Sequence, residues 1–168
     1  FAHGVMNSDN MSILGLTIDY GPFSFMETYN PSFICNHSDH QGRYSFERQP
    51  SVALWNLDRL ANAIRSLIDE THLKDALAEY EGFVVKEYSA LMRQKFGLVE
   101  VGEDDSKLVN DYLQLLYVHR KDYPLSMRLL SKEDNNMGSD FDLWFQRYHQ
   151  RLTQEKIKPN QSLQSMDS

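Results

Sequence analysis

Cysteine is almost absent from the 168 residues, and the single one, Cys35, has no partner with which to form an internal disulfide. That usage suits a reducing compartment, with Cys35 expected as a buried, inert thiol. Basic side chains are in the minority, 17 against 24 acidic ones, for a formal charge of −7. Such a surface excludes nonspecific attraction to nucleic acid or to an anionic membrane, so neither is expected as a partner. No apolar run approaches the roughly 18 residues that a membrane-spanning helix needs. An initiator Met is missing as well. The chain opens at Phe1-Ala2-His3 and reads as one domain's worth of sequence or as a fragment, with any leader segment out of view. No internal repeat is visible.

What is present suffices for a core: 41% apolar and 12% aromatic residues. The acids cluster at Asp69, Glu70, Asp75, Glu79 and Glu81 and again at Glu100, Glu103, Asp104 and Asp105, which reads as solvated helix faces and a loop. Three regions follow from the patterning. Residues 1–50 are rich in Gly, Asn, Asp, Ser and His, with one short apolar run, Ile13-Leu14-Gly15-Leu16-Thr17-Ile18, of strand character. A long irregular stretch of this kind is expected to hold the chemistry, as a catalytic and metal-binding loop region. Residues 51–158 show helical spacing. Ser51 is a candidate cap for a stripe through Val52, Trp55, Leu60, Ile64, Leu67 and Ile68, and Thr71 for one through Leu73 to Met92, with Gly97 at the expected C-cap. Ser106 opens a third helix, a short fourth surrounds Met127–Leu130, and Ser139 precedes a fifth with Phe141, Trp144, Phe145, Tyr148 and Leu152 on one face. These stripes are read as core. Residues 159–168 are polar and expected to be a disordered tail.

Chemistry concentrates in His3-Gly4-Val5-Met6-Asn7-Ser8-Asp9-Asn10 and, after the apolar run, Asp19-Tyr20-Gly21. The protein-kinase catalytic loop H-R-D-x-x-x-x-N, followed by D-F-G, has the same spacing from His to Asn. An Asn oxygen and a carboxylate on neighbouring loops form a hard-oxygen clamp suited to Mg²⁺ on ATP phosphates. Val5, however, stands where a kinase carries its catalytic Asp, and valine accepts no proton. Asp9 is the nearest carboxylate on the same loop. His3 reads as a structural hydrogen-bonding residue. His37-Ser38-Asp39-His40 has the residue types of a metal cluster but no companion motif, and reads as a loop hydrogen-bond network. Arg43, Tyr44 and Arg48 are candidates for phosphate contact, against the commoner pairing of such arginines with local acids, here Asp39 and Glu47.

The stretch HGVMNSDNMSILGLTIDYGPF resembles the SelO (YdiU-type) family of protein nucleotidyltransferases, and NHSDHQGRYSFERQP followed by LWN is similar to the segment downstream in its bacterial members. The likeness is strong through Asn56 and looser in the helices. A run of roughly 20 matching residues is far more specific than a lone D-x-G. The resemblance implies a mainly α fold with a short β-hairpin around residues 5–18 (α+β), the C-lobe-like part of a protein-kinase-like, pseudokinase fold. It implies transfer of AMP from ATP to Ser, Thr or Tyr hydroxyls of other proteins, or of UMP from UTP with Mn²⁺ in bacterial members. By matching position it makes Asp9 the proton acceptor, Asn10 and Asp19 the ligands of Mg²⁺ or Mn²⁺, and Asp19 an ATP contact. The compartment implied is the cytoplasm for a bacterial protein and the mitochondrion for a eukaryotic one.

Two other readings compete: a catalytically inactive kinase-like ATP-binding module, which accounts equally for Val5, and a metal-dependent hydrolase built on His37. Retention of Asn10 and Asp19 favours the transferase. A glycine-rich loop, a strand lysine and its Glu partner are missing from these residues, are expected upstream, and leave the chain alone inactive.

Overall fold

The computed structural model describes residues 1–16, 21–132 and 137–155. Among the described residues five α-helices form: α1 (Gln49–Ile64), α2 (Glu70–Lys95), α3 (Asp105–Val118), α4 (Tyr123–Ser131) and α5 (Asp142–Gln154). The helices fall where the apolar spacing predicts them, but their starts differ. A 3-10 turn, Phe46–Arg48, leads into α1 two residues before Ser51, with Pro50 in the first turn where a missing N–H is harmless. Asp69, not Thr71, serves the start of α2: its Oδ1 accepts the Thr71 N–H at 2.9 Å. Gly97 does close α2. With φ +65° it lets the Leu98 N–H reach back to the Arg93 carbonyl at 2.9 Å. Among the described residues no helix is long and apolar enough to cross a membrane.

The chain divides into two compact units, Phe1–Met26 with Asn30–Val85, and Glu27–Tyr29 with Lys86–Ser168. The second holds an aromatic core. Phe96, Tyr112, Phe141, Trp144 and Tyr148 are all at most 2% exposed. Trp144 stacks on Tyr148 at 5.0 Å and meets Tyr112 at 4.4 Å. Each polar tip in this apolar setting finds a carbonyl: Trp144 Nε1 donates to Leu108 O, Tyr148 OH to Phe96 O and Tyr112 OH to Ser126 O, at 2.8, 2.8 and 3.1 Å. Arg151 lies between Asp105 and Glu155, with both carboxylates at 2.7 Å. The α5 stripe is therefore core, as its spacing predicts.

The first unit is built differently. Of the α1 stripe only Val52 is buried, while Trp55 is 43% and Leu67 82% exposed, so this stripe is not the core the periodicity suggested. Its loops are held by backbone and amide hydrogen bonds rather than by a large apolar cluster.

The expected β-hairpin is overturned, and with it the α+β, kinase-lobe-like class. The described residues are helical and contain no sheet, only isolated bridges at Ala2–Ser24 and Thr28–Asp122. Ser8–Asn10 is a 3-10 turn. Beyond it the Ser12 Oγ accepts the Leu14 N–H at 3.2 Å and the Ser12 carbonyl accepts the Gly15 N–H at 3.0 Å, with Gly15 at φ +69°. A turn thus interrupts the apolar run, and Ile13 and Leu14 are 78% and 76% exposed. Branched side chains supply strand propensity, but a strand forms only against a partner, and a glycine inside the run weakens it further. Thr17 and Ile18, the rest of the run, lie outside the described residues, as does the predicted tail at 159–168.

Candidate functional site

Three polar side chains far apart in sequence shape the loop that carries Asp9 and Asn10. Gln49, at the start of α1, accepts the His3 N–H at 2.9 Å and donates to the carbonyls of Phe1 and Phe46 at 3.3 and 3.2 Å. Asn36 donates to the Gly4 carbonyl at 3.3 Å. Asn56, buried on α1, donates to the Met6 carbonyl at 2.8 Å and meets the Met11 sulfur at 2.7 Å. The last two grips bracket Ser8, Asp9 and Asn10 within a short span.

Gly4 is the tightest point. It is buried at φ +86°, and a Cβ there would lie 2.4 Å from the Pro22 carbonyl oxygen and 2.7 Å from the Cys35 sulfur, so only glycine fits. Cys35 donates to the same Pro22 oxygen at 2.7 Å. Partial burial pushes its thiol above the ordinary range. His3 closes the loop on itself, its Nδ1 accepting the Val5 N–H at 3.3 Å. A histidine used in this way supports backbone rather than transferring protons.

Beyond these anchors the 3-10 turn lifts Ser8, Asp9 and Asn10 into solvent. Asp9 keeps its carboxylate exposed, with only a long 3.5 Å contact from the Ser8 hydroxyl among the described residues. Asn10 donates its amide N–H to the Val5 carbonyl at 3.0 Å. That bond fixes the amide plane and leaves the Asn10 Oδ1 without a protein donor among the described residues. An amide oxygen held in this way is a hard donor of the kind that Mg²⁺ or Mn²⁺ accepts. Asp19, the second expected ligand and the expected ATP contact, lies outside the described residues. Among the described residues no group of three or more His, Cys, Asp or Glu side chains comes together to hold a metal.

The His37–His40 segment is organised around Asp39. Its two carboxylate oxygens accept the N–H groups of Arg43 and Tyr44 at 2.9 and 2.7 Å, while both histidines are exposed. Asp39 is thereby committed to the backbone and does not pair with the arginine side chains.

Sequence reading passed over Gln49 and Asn56 as supports of this loop. A signal did exist for Asn56: it is an amide in the helical run between Val52 and Leu60, where a helix has no local use for it. A cleft of about 330 Å³ opens beside the loop, lined by Ser8, Met11, Ile13, Asn56, Arg59 and Leu60 among others. The family model described as protein adenylyltransferase SelO matches residues 1–166, essentially the whole chain.

Proposed function

This chain belongs to the SelO family of protein adenylyltransferases, and on that premise we propose that it supplies the proton acceptor and metal ligands for AMP transfer to protein hydroxyls. The observation that carries the reading is the family match over residues 1–166, joined to a loop that exposes the Asp9 carboxylate and, next in sequence, an Asn10 amide held by the Val5 carbonyl.

In this reading Asp9 accepts the proton of a Ser, Thr or Tyr hydroxyl as its oxygen attacks the α-phosphorus of ATP. The new P–O bond forms, the bond to pyrophosphate breaks, and AMP stays on the protein. Asn10 and Asp19 would hold Mg²⁺ or Mn²⁺, and Asp19 would also contact the nucleotide. When bound, the cation neutralises charge on the α-phosphate and the departing pyrophosphate. Exposure of Asp9 supports its role, because an acceptor must meet a hydroxyl brought by another protein. The Val5 carbonyl supports the role of Asn10 by holding its amide in one orientation. UTP is a second donor consistent with the same constellation. The glycine-rich loop and strand lysine that grip triphosphates in other phosphoryl-transfer enzymes do not occur in these residues, and assays use the full-length protein.

The test compares α-labelled and γ-labelled ATP. Label retained on protein from the α position alone is expected. Asp9→Ala should lower the transfer rate roughly 10²- to 10⁴-fold, the usual loss for a general base, while calorimetry shows ATP–Mg²⁺ binding nearly unchanged. Asn10→Ala should instead weaken ATP–Mg²⁺ binding and shift the Mg²⁺ dependence of transfer. Full activity in Asp9→Ala would remove Asp9 from the mechanism. ATP binding without label from either position would replace the transferase with a catalytically inactive ATP-binding module.

A further inference from the structure

Trp55 and Arg59 stand one turn apart on α1, and the Arg59 guanidinium lies over the Trp55 indole, 5.2 Å from its centre. A second guanidinium, from Arg43 in the loop before α1, lies over the same indole at 4.7 Å. All three side chains are exposed. A single exposed Arg–Trp stack is an ordinary way to cover an indole. Two cations on one ring are less ordinary, because they repel each other.

One carboxylate nearby, Asp58, pairs with Arg59 and offsets its charge. Asp39 is committed to the backbone, and Glu47 accepts the Ser32 hydroxyl at 3.4 Å. Among the described residues Arg43 therefore has aromatic neighbours, Trp55 and Tyr44, but no carboxylate. On a chain of net charge −7, Arg43 is thus an exposed guanidinium with no carboxylate partner for its side chain among the described residues.

Arg59 also lines the cleft beside the catalytic loop, together with Ser8, Met11, Ile13, Leu57 and Leu60. Ser8 adjoins Asp9. The surface thus runs from a cationic aromatic cluster, through an apolar cleft, to the residue before the proposed proton acceptor.

We propose that the Arg43–Trp55–Arg59 cluster and the adjoining cleft dock the segment of the protein substrate that carries the target hydroxyl, and that this segment combines acidic residues with an apolar side chain. The proposal rests on the transfer reading above for the meaning of "target". Guanidinium groups preorganised on an aromatic face recognise carboxylates with little loss of side-chain freedom. The cleft has room for one large apolar side chain, and its lining of Met11, Ile13, Leu57 and Leu60 suits an apolar residue better than a phosphate. An acidic partner would be repelled by the rest of the chain, so the cluster fixes where such a segment can approach.

The experiment uses the full-length protein and two synthetic peptides of equal length. Each has one Ser and one Leu, flanked in one by Glu and in the other by Lys. Binding is read by anisotropy of the labelled peptides, and transfer by label from α-labelled ATP. The Glu-flanked peptide should bind and react with a KM roughly three- to tenfold lower, the scale expected for a few exposed charge pairs. Arg43→Gln with Arg59→Gln should erase the difference by raising its KM with kcat unchanged. Arg43→Lys with Arg59→Lys should keep most of it. Arg43→Glu with Arg59→Glu should turn the preference toward the Lys-flanked peptide, which a merely unfolded variant cannot do. Equal KM values for the two peptides in the unmodified protein would overturn the docking site. So would a rise in the KM for ATP, with peptide KM unchanged, in the Gln variant, since it would assign the arginines to the triphosphate. Selective binding of the Glu-flanked peptide that is lost in the Gln variant, but without transfer, would leave the docking surface standing and remove the transferase reading instead.

Discussion

Asn56 occupies a position in α1 where its amide is a poor helix former and its burial would ordinarily select an apolar residue. Its bond to the Met6 carbonyl, 2.8 Å away and 50 residues earlier in the sequence, offsets part of both costs, while the Asn56 Oδ1 is buried without a partner among the described residues. Asn56→Ala should therefore destabilise the protein by about 1–3 kcal/mol, the usual penalty for stranding a buried polar partner, and should slow transfer by loosening the loop around Asp9. Chemical denaturation beside the α-label assay reads both effects, and a variant as stable and active as the parent would remove the tether from the account. Asn10 is a candidate by its spacing from His3, and Asp9 as the nearest carboxylate on the same loop, both readable without the structure. The supports Gln49 and Asn56 belong to no motif, since what selects them is where the backbone carbonyls of another segment fall.

At the scale of elements, helices were legible and strands were not. Helical hydrogen bonds close within the segment, so local spacing predicts them, whereas the run beginning at Ile13 needed a partner strand that the described residues do not supply. The same locality makes α4 testable. Asp122 precedes it and accepts the Leu125 N–H at 2.7 Å, with Pro124 in the first turn. Asp122→Ala should cost about 1 kcal/mol, as loss of an N-cap usually does, seen as a lower denaturation midpoint with an unchanged denaturant dependence. Asp122→Asn should recover most of that loss, because the amide oxygen caps as well. No recovery would show that Asp122 acts through something other than its cap.

For the molecule as a whole, the aromatic core of the second unit sets a pH limit. Burial pushes the Tyr123 phenol up to about 12 and holds the Tyr112 phenol well above its ordinary value. In the unfolded chain both ionise near 10. Below pH 10 both states keep the phenols protonated and the contribution to stability is intact. As pH rises from about 10 to about 12 the unfolded state gives up its protons first, so stability falls across that window. Denaturation midpoints measured through it should drop, and Tyr123→Phe should make the drop shallower; an unchanged slope would exclude Tyr123 as a contributor. By itself the sequence determined the helices, the aromatic stripe of α5, the acidic balance and the motif around Asp9 and Asn10, because each depends on neighbours within a few residues or on composition alone. Only the tertiary structure decided that the stripe of α1 is not core, that Trp55 carries two arginines in the open, and that Asn56 and Gln49 hold the loop. Those outcomes turn on which distant segments pack together, and burial is a property of that packing rather than of the periodicity that allows it.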